Sequence, residues 1–137
     1  MSTARKNNTQ QIGYLRFKVN YNDAASGVAL NKQTLPKGAI IIGVVLAVTT
    51  AFNAATTNTL SIGTVGDTAT NIVNAQSVSA AGVTNDLQPT TGGAAYGALA
   101  ADKQIQVTYT QTGAAATAGA AYVVIMYVCD NDLNIGQ

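Results

Sequence analysis

The chain has 137 residues and a formal net charge of +1, with no histidine, tryptophan or glutamate and a single cysteine. Charged residues make up 9% of it and hydrophobic residues 47%, whereas ordinary soluble domains are about 25% charged. A base or acid poised near neutral pH, or a metal held by imidazole and thiolate, has almost nothing to be built from. The composition therefore points away from enzymes and cofactor or metal binders, and toward a protein made of sheets and surfaces.

A chain of this length forms one domain that buries roughly 70% of its unfolded surface. Its low charge does little to hold copies apart, which suits a protein packed against others. Residues 1–37 carry six basic residues against Asp23 alone, a balance of +5. The remainder carries Lys103 against five aspartates, a balance of −4.

Residues 1–11 include Arg5 and Lys6 but no apolar stretch behind them, so they read as a basic flexible arm rather than a secretory leader. Residues 12–21 alternate: Leu15, Phe17, Val19 and Tyr21 on one side, Tyr14, Arg16, Lys18 and Asn20 on the other. That is a half-buried strand with one wet face. A short strand through Val28 and Leu30 is expected over residues 27–31. Leu35-Pro36-Lys37-Gly38 follows as a turn, with glycine free to take positive φ.

Residues 39–52 contain Ile40, Ile41, Ile42, Val44, Val45, Leu46 and Val48. Their β-branching favours a strand, apolar on both faces as in a sheet centre or an interface, with a bulge at Gly43. The apolar run of about 13 residues is too short for a membrane helix, which needs ~20. The product is accordingly expected to be made in the cytoplasm, with Cys129 reduced at a core or rim position.

Leu60 and Ile62 mark a short strand closed by Gly63 and Gly66. Residues 70–83 show no clear period and are expected to be irregular, and residues 85–97 to be loop. Residues 103–111 alternate with Ile105, Val107 and Tyr109 inward. Residues 120–129 form a last strand, apolar on both faces, before a polar tail over residues 130–137. The domain thus spans residues 12–129. About eight short strands and no long amphipathic helix imply an all-β, antiparallel two-sheet sandwich, and the long loops favour a jelly roll.

The candidate sites are few. Asp130-Asn131-Asp132 has the oxygen spacing of half a calcium loop, but no glutamate exists to close it. Gly92-Gly93 lacks the Lys-Ser/Thr of a phosphate cradle. Nucleic acid is not an expected partner, because the basic residues form no cluster. Tyr14, Tyr96 and Tyr122 are the aromatics open to a sugar-binding reading. The basic residues Arg5, Lys6, Arg16 and Lys18 read as contacts for an acidic surface, or more plainly as a solvated strand face behind a frayed end. Ile41, Val45, Tyr122, Val124 and Met126 lie in strands too apolar for one core. They are the candidates for a homo-oligomer interface, a dimer slightly favoured over a trimer.

Several runs resemble a known group of proteins. They are Leu35-Pro36-Lys37-Gly38-Ala39, Val48-Thr49-Thr50-Ala51-Phe52-Asn53 and Leu60-Ser61-Ile62-Gly63, then Ile105-x-Val107-Thr108-Tyr109-Thr110 and residues 117–124. Over about residues 35–128 they are similar to the jelly-roll cement (decoration) proteins of podophage capsids, such as that of a Bordetella phage. The resemblance implies a non-enzymatic virion protein on the outer capsid surface, bound to a major capsid protein of HK97-like fold. It transfers no site residues. A receptor- or glycan-binding jelly-roll module on a phage tail or fibre is the alternative.

Overall fold

The computed structural model describes residues 12–89 and 95–129. They form eight strands: β1 (Gly13–Asn20), β2 (Ala29–Leu35), β3 (Ile40–Thr50), β4 (Thr57–Thr64), β5 (Val73–Ser77), β6 (Gly82–Leu87), β7 (Lys103–Thr112) and β8 (Ala120–Val128). One sheet has the order β1-β8-β3-β6 and the other β2-β7-β4-β5. Every neighbouring pair is antiparallel. Consecutive strands change sheet at every step except β4–β5, the wrapping of a jelly roll. The fold class expected from the sequence is the one observed.

The core lies between the sheets, where Leu46, Phe52, Leu60, Ile62, Val107 and Ile125 are almost completely buried. β1 behaves as its alternation requires, with Phe17 and Val19 buried and Arg16 and Lys18 exposed. Ile105, Val107 and Tyr109 on β7 also point inward.

Bulges change the expected pattern in two strands. β2 shifts register between Asn31 and Thr34. Leu30 and Leu35 are an odd number of residues apart, yet both turn toward the core, and β2 is displaced toward Leu35 while Val28 is exposed. β3 shifts between Ile41 and Gly43, as the glycine suggested. The shift puts Ile41 and Val44 both inside. Ile41 is therefore a core residue, which removes it from the interface candidates.

Residues 70–83, expected to be irregular, hold β5 and the start of β6. Both are short edge strands interrupted by left-handed residues, Ala75 (φ 48°) and Asp86 (φ 60°). Interruption of this kind erases the two-residue period by which a strand is read. Cys129, expected at a core or rim position, is exposed just beyond the end of β8.

Polar struts, one buried at Asn58 and one exposed at Asn53, brace one end of the sandwich. The Asn58 side chain accepts from the Ala54 N–H and donates to the Ala54 carbonyl, both at 3.0 Å. It also accepts from the Tyr109 hydroxyl at 2.6 Å. Asn53 Oδ1 accepts from the N–H groups of Thr117 and Ala118 at 2.8 and 3.0 Å, tying the β3–β4 loop to the β7–β8 loop. Gly63 lies so close to the turn after β4 that a Cβ would stand 2.2 Å from the Thr68 carbonyl oxygen. Asn53, Gly63, Tyr109, Thr117 and Ala118 fall within the sequence runs that resemble phage structural proteins, and these contacts give those positions a packing explanation.

Candidate functional site: the outer face of the β1-β8-β3-β6 sheet

The two outer faces of the sandwich differ in chemistry. On the β2-β7-β4-β5 sheet the outward rows read Asn31–Gln106–Gly63, Ala29–Thr108–Ser61 and Thr110–Thr59–Ser77 across neighbouring strands. These rows carry no charge and little apolar surface. They are well suited to water.

The opposite face combines cations with apolar side chains. Its rows follow from the strand register: Tyr14–Met126–Gly43, Arg16–Val124–Val45 and Lys18–Tyr122–Ala47–Val83. Residues directly opposite in antiparallel strands have Cβ atoms about 5 Å apart, so Val124, Val45, Met126, Ala47 and Val83 form one continuous patch. Val83 and Tyr14 are 63% and 66% exposed. Val45, Tyr122, Val124 and Met126 are half-buried by their neighbours.

Arg16 and Lys18 frame this patch along β1. The Arg16 guanidinium lies 4.8 Å from the Tyr122 ring centroid and the Lys18 ammonium 5.8 Å from it. Cations over a tyrosine ring gain ~0.5–1 kcal/mol when exposed, which holds both side chains flat on the face. Among the described residues neither has a carboxylate partner, and the one ion pair is Lys103–Asp67 at 2.9 Å. The Lys103 ammonium, with help from Thr64, holds the Asp67 carboxyl below its usual range.

The β1 edge beside this face is already occupied. Gln33 Nε2 donates to the Arg16 carbonyl at 2.7 Å and Lys32 Nζ to the Lys18 carbonyl at 3.0 Å. Side chains that cap an edge strand's carbonyls discourage strand addition. What β1 presents to a partner is its side-chain face.

The structure thus brings together Arg16, Lys18, Val45, Tyr122, Val124 and Met126 from the sequence candidates. Arg5 and Lys6 lie outside the described residues, as do the arm, the Asp130–Asn131–Asp132 run and Gly92-Gly93. The sequence reading missed Val83 and Ala47, because their place on the face depends on β6 and its register. Tyr14 and Tyr122 share the face two rows apart. Tyr96 instead lines a hollow of about 480 Å³ with Ile40, Gln88 and Pro89. Among the described residues, no three His, Cys, Asp or Glu side chains gather as metal ligands.

No family model matches the chain, and no curated protein matches it. Three solved structures do. A chain of the capsid of Ralstonia phage GP4 superposes with a TM-score of 0.64 at 21% identity, covering 96% of this chain and 93% of that one. A chain of the cyanophage Pam1 capsid asymmetric unit gives 0.62 at 21% identity, covering 87% and 85%. The acidic stable capsid structure of Helicobacter pylori bacteriophage KHP30 gives 0.62 at 14% identity, covering 85% and 86%. Over nearly its whole described length, the chain has the fold of chains found in three phage capsid structures.

Proposed function

We propose that this chain is a virion structural protein: a capsid cement (decoration) protein without enzymatic activity. In this reading it binds the outside of a shell built from a major capsid protein of HK97-like fold, and it clamps adjacent subunits. The observation that carries the reading is the fold, shared over 85–96% of this chain with chains of three phage capsid structures. Two features of the molecule support it. The low charge suits a densely packed lattice, and only one of the two outer sheet faces is built for contact.

The mechanism is that of a staple. Each copy adds a modest contact across a seam between capsid subunits. Repetition over the lattice supplies effective concentration, so no single contact has to be strong. Arg5 and Lys6 in the arm, with Arg16 and Lys18 on β1, provide charge-assisted contacts to an acidic patch of the shell. Contacts of this kind weaken as salt shortens the Debye length from about 10 Å at 0.1 M to about 3 Å at 1 M.

Copy number per particle is the direct test. Quantitative mass spectrometry of purified virions should find the chain in hundreds of copies, in fixed ratio to the major capsid protein. About a dozen copies would instead indicate a tail or fibre module, and complete absence from the particle would end the virion reading.

A further inference from the structure

The four edge strands of the sandwich are β1, β6, β2 and β5, and three of them are irregular. β2, β5 and β6 each lose register against their neighbour, and β5 and β6 also carry the left-handed residues Ala75 and Asp86. β1 alone runs straight, with unbroken pairing to β8 from Gly13↔Tyr127 to Asn20↔Ala120. A long, regular edge is the kind onto which another strand adds.

That edge is the one whose backbone groups are taken. Backbone groups in an antiparallel pair alternate in direction, so on β1 those of the even-numbered residues face away from β8. The Arg16 carbonyl accepts from Gln33 Nε2 at 2.7 Å and the Lys18 carbonyl from Lys32 Nζ at 3.0 Å. The Asn20 N–H donates to Asp23 Oδ2 at 2.7 Å, and the Asn20 carbonyl accepts from the Asp23 N–H at 3.2 Å. Every outward carbonyl from Arg16 to Asn20 is therefore engaged.

The bulge in β2 delivers two of these donors from the other sheet. Asn31 pairs with Gln106 and Thr34 with Gln104, so Lys32 and Gln33 together stand against Ile105 alone. Lys32 lies two residues on from the core-facing Leu30. Its stem crosses the open side of the sandwich, with the ammonium 5.7 Å from the Phe17 ring centroid. Gln104 Nε2 donates to the Lys32 carbonyl at 3.0 Å and holds the bulge in place. An irregularity in one sheet thus closes the regular edge of the other.

We infer that Lys32 and Gln33 guard the β1 edge, and that what they exclude is an edge strand of another copy, added sheet to sheet in an open-ended stack. Charge cannot take that role, because charged residues are 9% of the chain and its net charge is +1. The guard concerns strand edges rather than side-chain faces, and it does not depend on the capsid reading.

The test compares the intact full chain with the double variant Lys32→Ala/Gln33→Ala from 10 μM to 1 mM, by sedimentation velocity and light scattering. The intact protein should keep a fixed distribution of small species. The double variant, with its circular dichroism unchanged, should form species that go on growing, with scattering at 1 mM at least tenfold higher. Hydrogen exchange identifies the surface used: the Arg16 and Lys18 N–H groups face outward, so their exchange should slow at least tenfold on assembly. Gln33 is exposed, so Gln33→Ala leaves the core untouched and should grow in the same way, more slowly; it decides alone if the double variant does not fold. Lys37→Ala removes the same charge from an exposed turn and should behave as the intact chain does. Folded variants that grow no further than the intact chain would overturn the inference. So would growth that leaves the Arg16 and Lys18 amides exchanging freely, or equal growth of Lys37→Ala. All of these measurements are made in free solution, so their failure leaves the capsid copy number untouched.

Discussion

Replacing Asn58 by alanine should be among the most damaging single changes outside the apolar core. The side chain is 95% buried, and its amide makes three hydrogen bonds: two with the Ala54 backbone and one from the Tyr109 hydroxyl. Asn58→Ala leaves the Ala54 N–H, the Ala54 carbonyl and the Tyr109 hydroxyl without that partner. A buried polar group left unpaired costs about 1–3 kcal/mol. The tyrosine hydroxyl still has Gln111 Oε1 at 3.1 Å as a second acceptor, which lowers its share. The sum is about 3–5 kcal/mol, a large part of the ~5–15 kcal/mol by which domains are stable. At ~4 °C per kcal/mol for a chain of this length, Tm should fall by roughly 12–20 °C.

Urea unfolding followed by far-ultraviolet circular dichroism measures this, with an unchanged m-value showing that the comparison is sound. Tyr109→Phe removes one hydroxyl and should cost about 1 kcal/mol. The double variant should cost less than the sum of the two singles by about 1 kcal/mol, because the hydroxyl that Asn58→Ala strands is no longer there. A cost below about 1 kcal/mol for Asn58→Ala, or strict additivity of the pair, would refute the claim that this strut holds the β3–β4 loop against β7.

Further outcomes follow from the same structure. Gly63→Ala places a methyl 2.2 Å from the Thr68 carbonyl oxygen, which is backbone and cannot swing away; overpacking of this kind should cost about 1–3 kcal/mol or more in the same unfolding assay. Burial raises the pKa of Tyr109 above its ordinary value of 10.0. The folded state therefore holds that proton more tightly than the unfolded state, so its contribution is full below about pH 10 and is lost as pH rises through the raised value. Tyr109→Phe should flatten the alkaline limb of the stability–pH curve, and an unchanged limb would count against the assignment. Cys129 is exposed, so a thiol reagent should modify it in the native protein without denaturant, at a rate close to that of the unfolded chain.

Alternation made β1 and β7 legible from residues alone, and β8 showed as a run apolar on both faces; each pairs along most of its length. Where a bulge intervenes the period is broken, and side chains an odd number of residues apart point the same way. Leu30 with Leu35 and Ile41 with Val44 are both of this kind, and for that reason Ile41 read as interface when it is core. β5 and β6 were hidden more deeply. Each is a short edge strand with a left-handed residue in it, and neither Ala75 nor Asp86 belongs to the residue types that announce a strand.

The contact face was legible only in halves. Arg16 and Lys18 showed as the wet side of β1, and Val124 and Met126 as surplus apolar surface on β8. That the two halves adjoin, with Val83 completing the last row, depends on the order β1-β8-β3-β6, which no local pattern encodes. The struts at Asn53, in the β3–β4 loop, and Asn58, at the start of β4, carry no signature beyond being polar residues. Their distant partners, Tyr109 for Asn58 and Thr117 for Asn53, lie 51 and 64 residues away in sequence.

The central claim is that this protein clamps the outside of a phage capsid, and adding it back to bare shells tests that most directly. Purified chain would be titrated onto particles prepared without it, with bound copies counted and the temperature of particle disruption recorded. The account predicts saturation at a fixed ratio to the major capsid protein, a higher disruption temperature, and weaker binding at 1 M than at 0.1 M salt. Shells that bind no protein at micromolar concentration, or that bind it and break at the same temperature as bare ones, would contradict it.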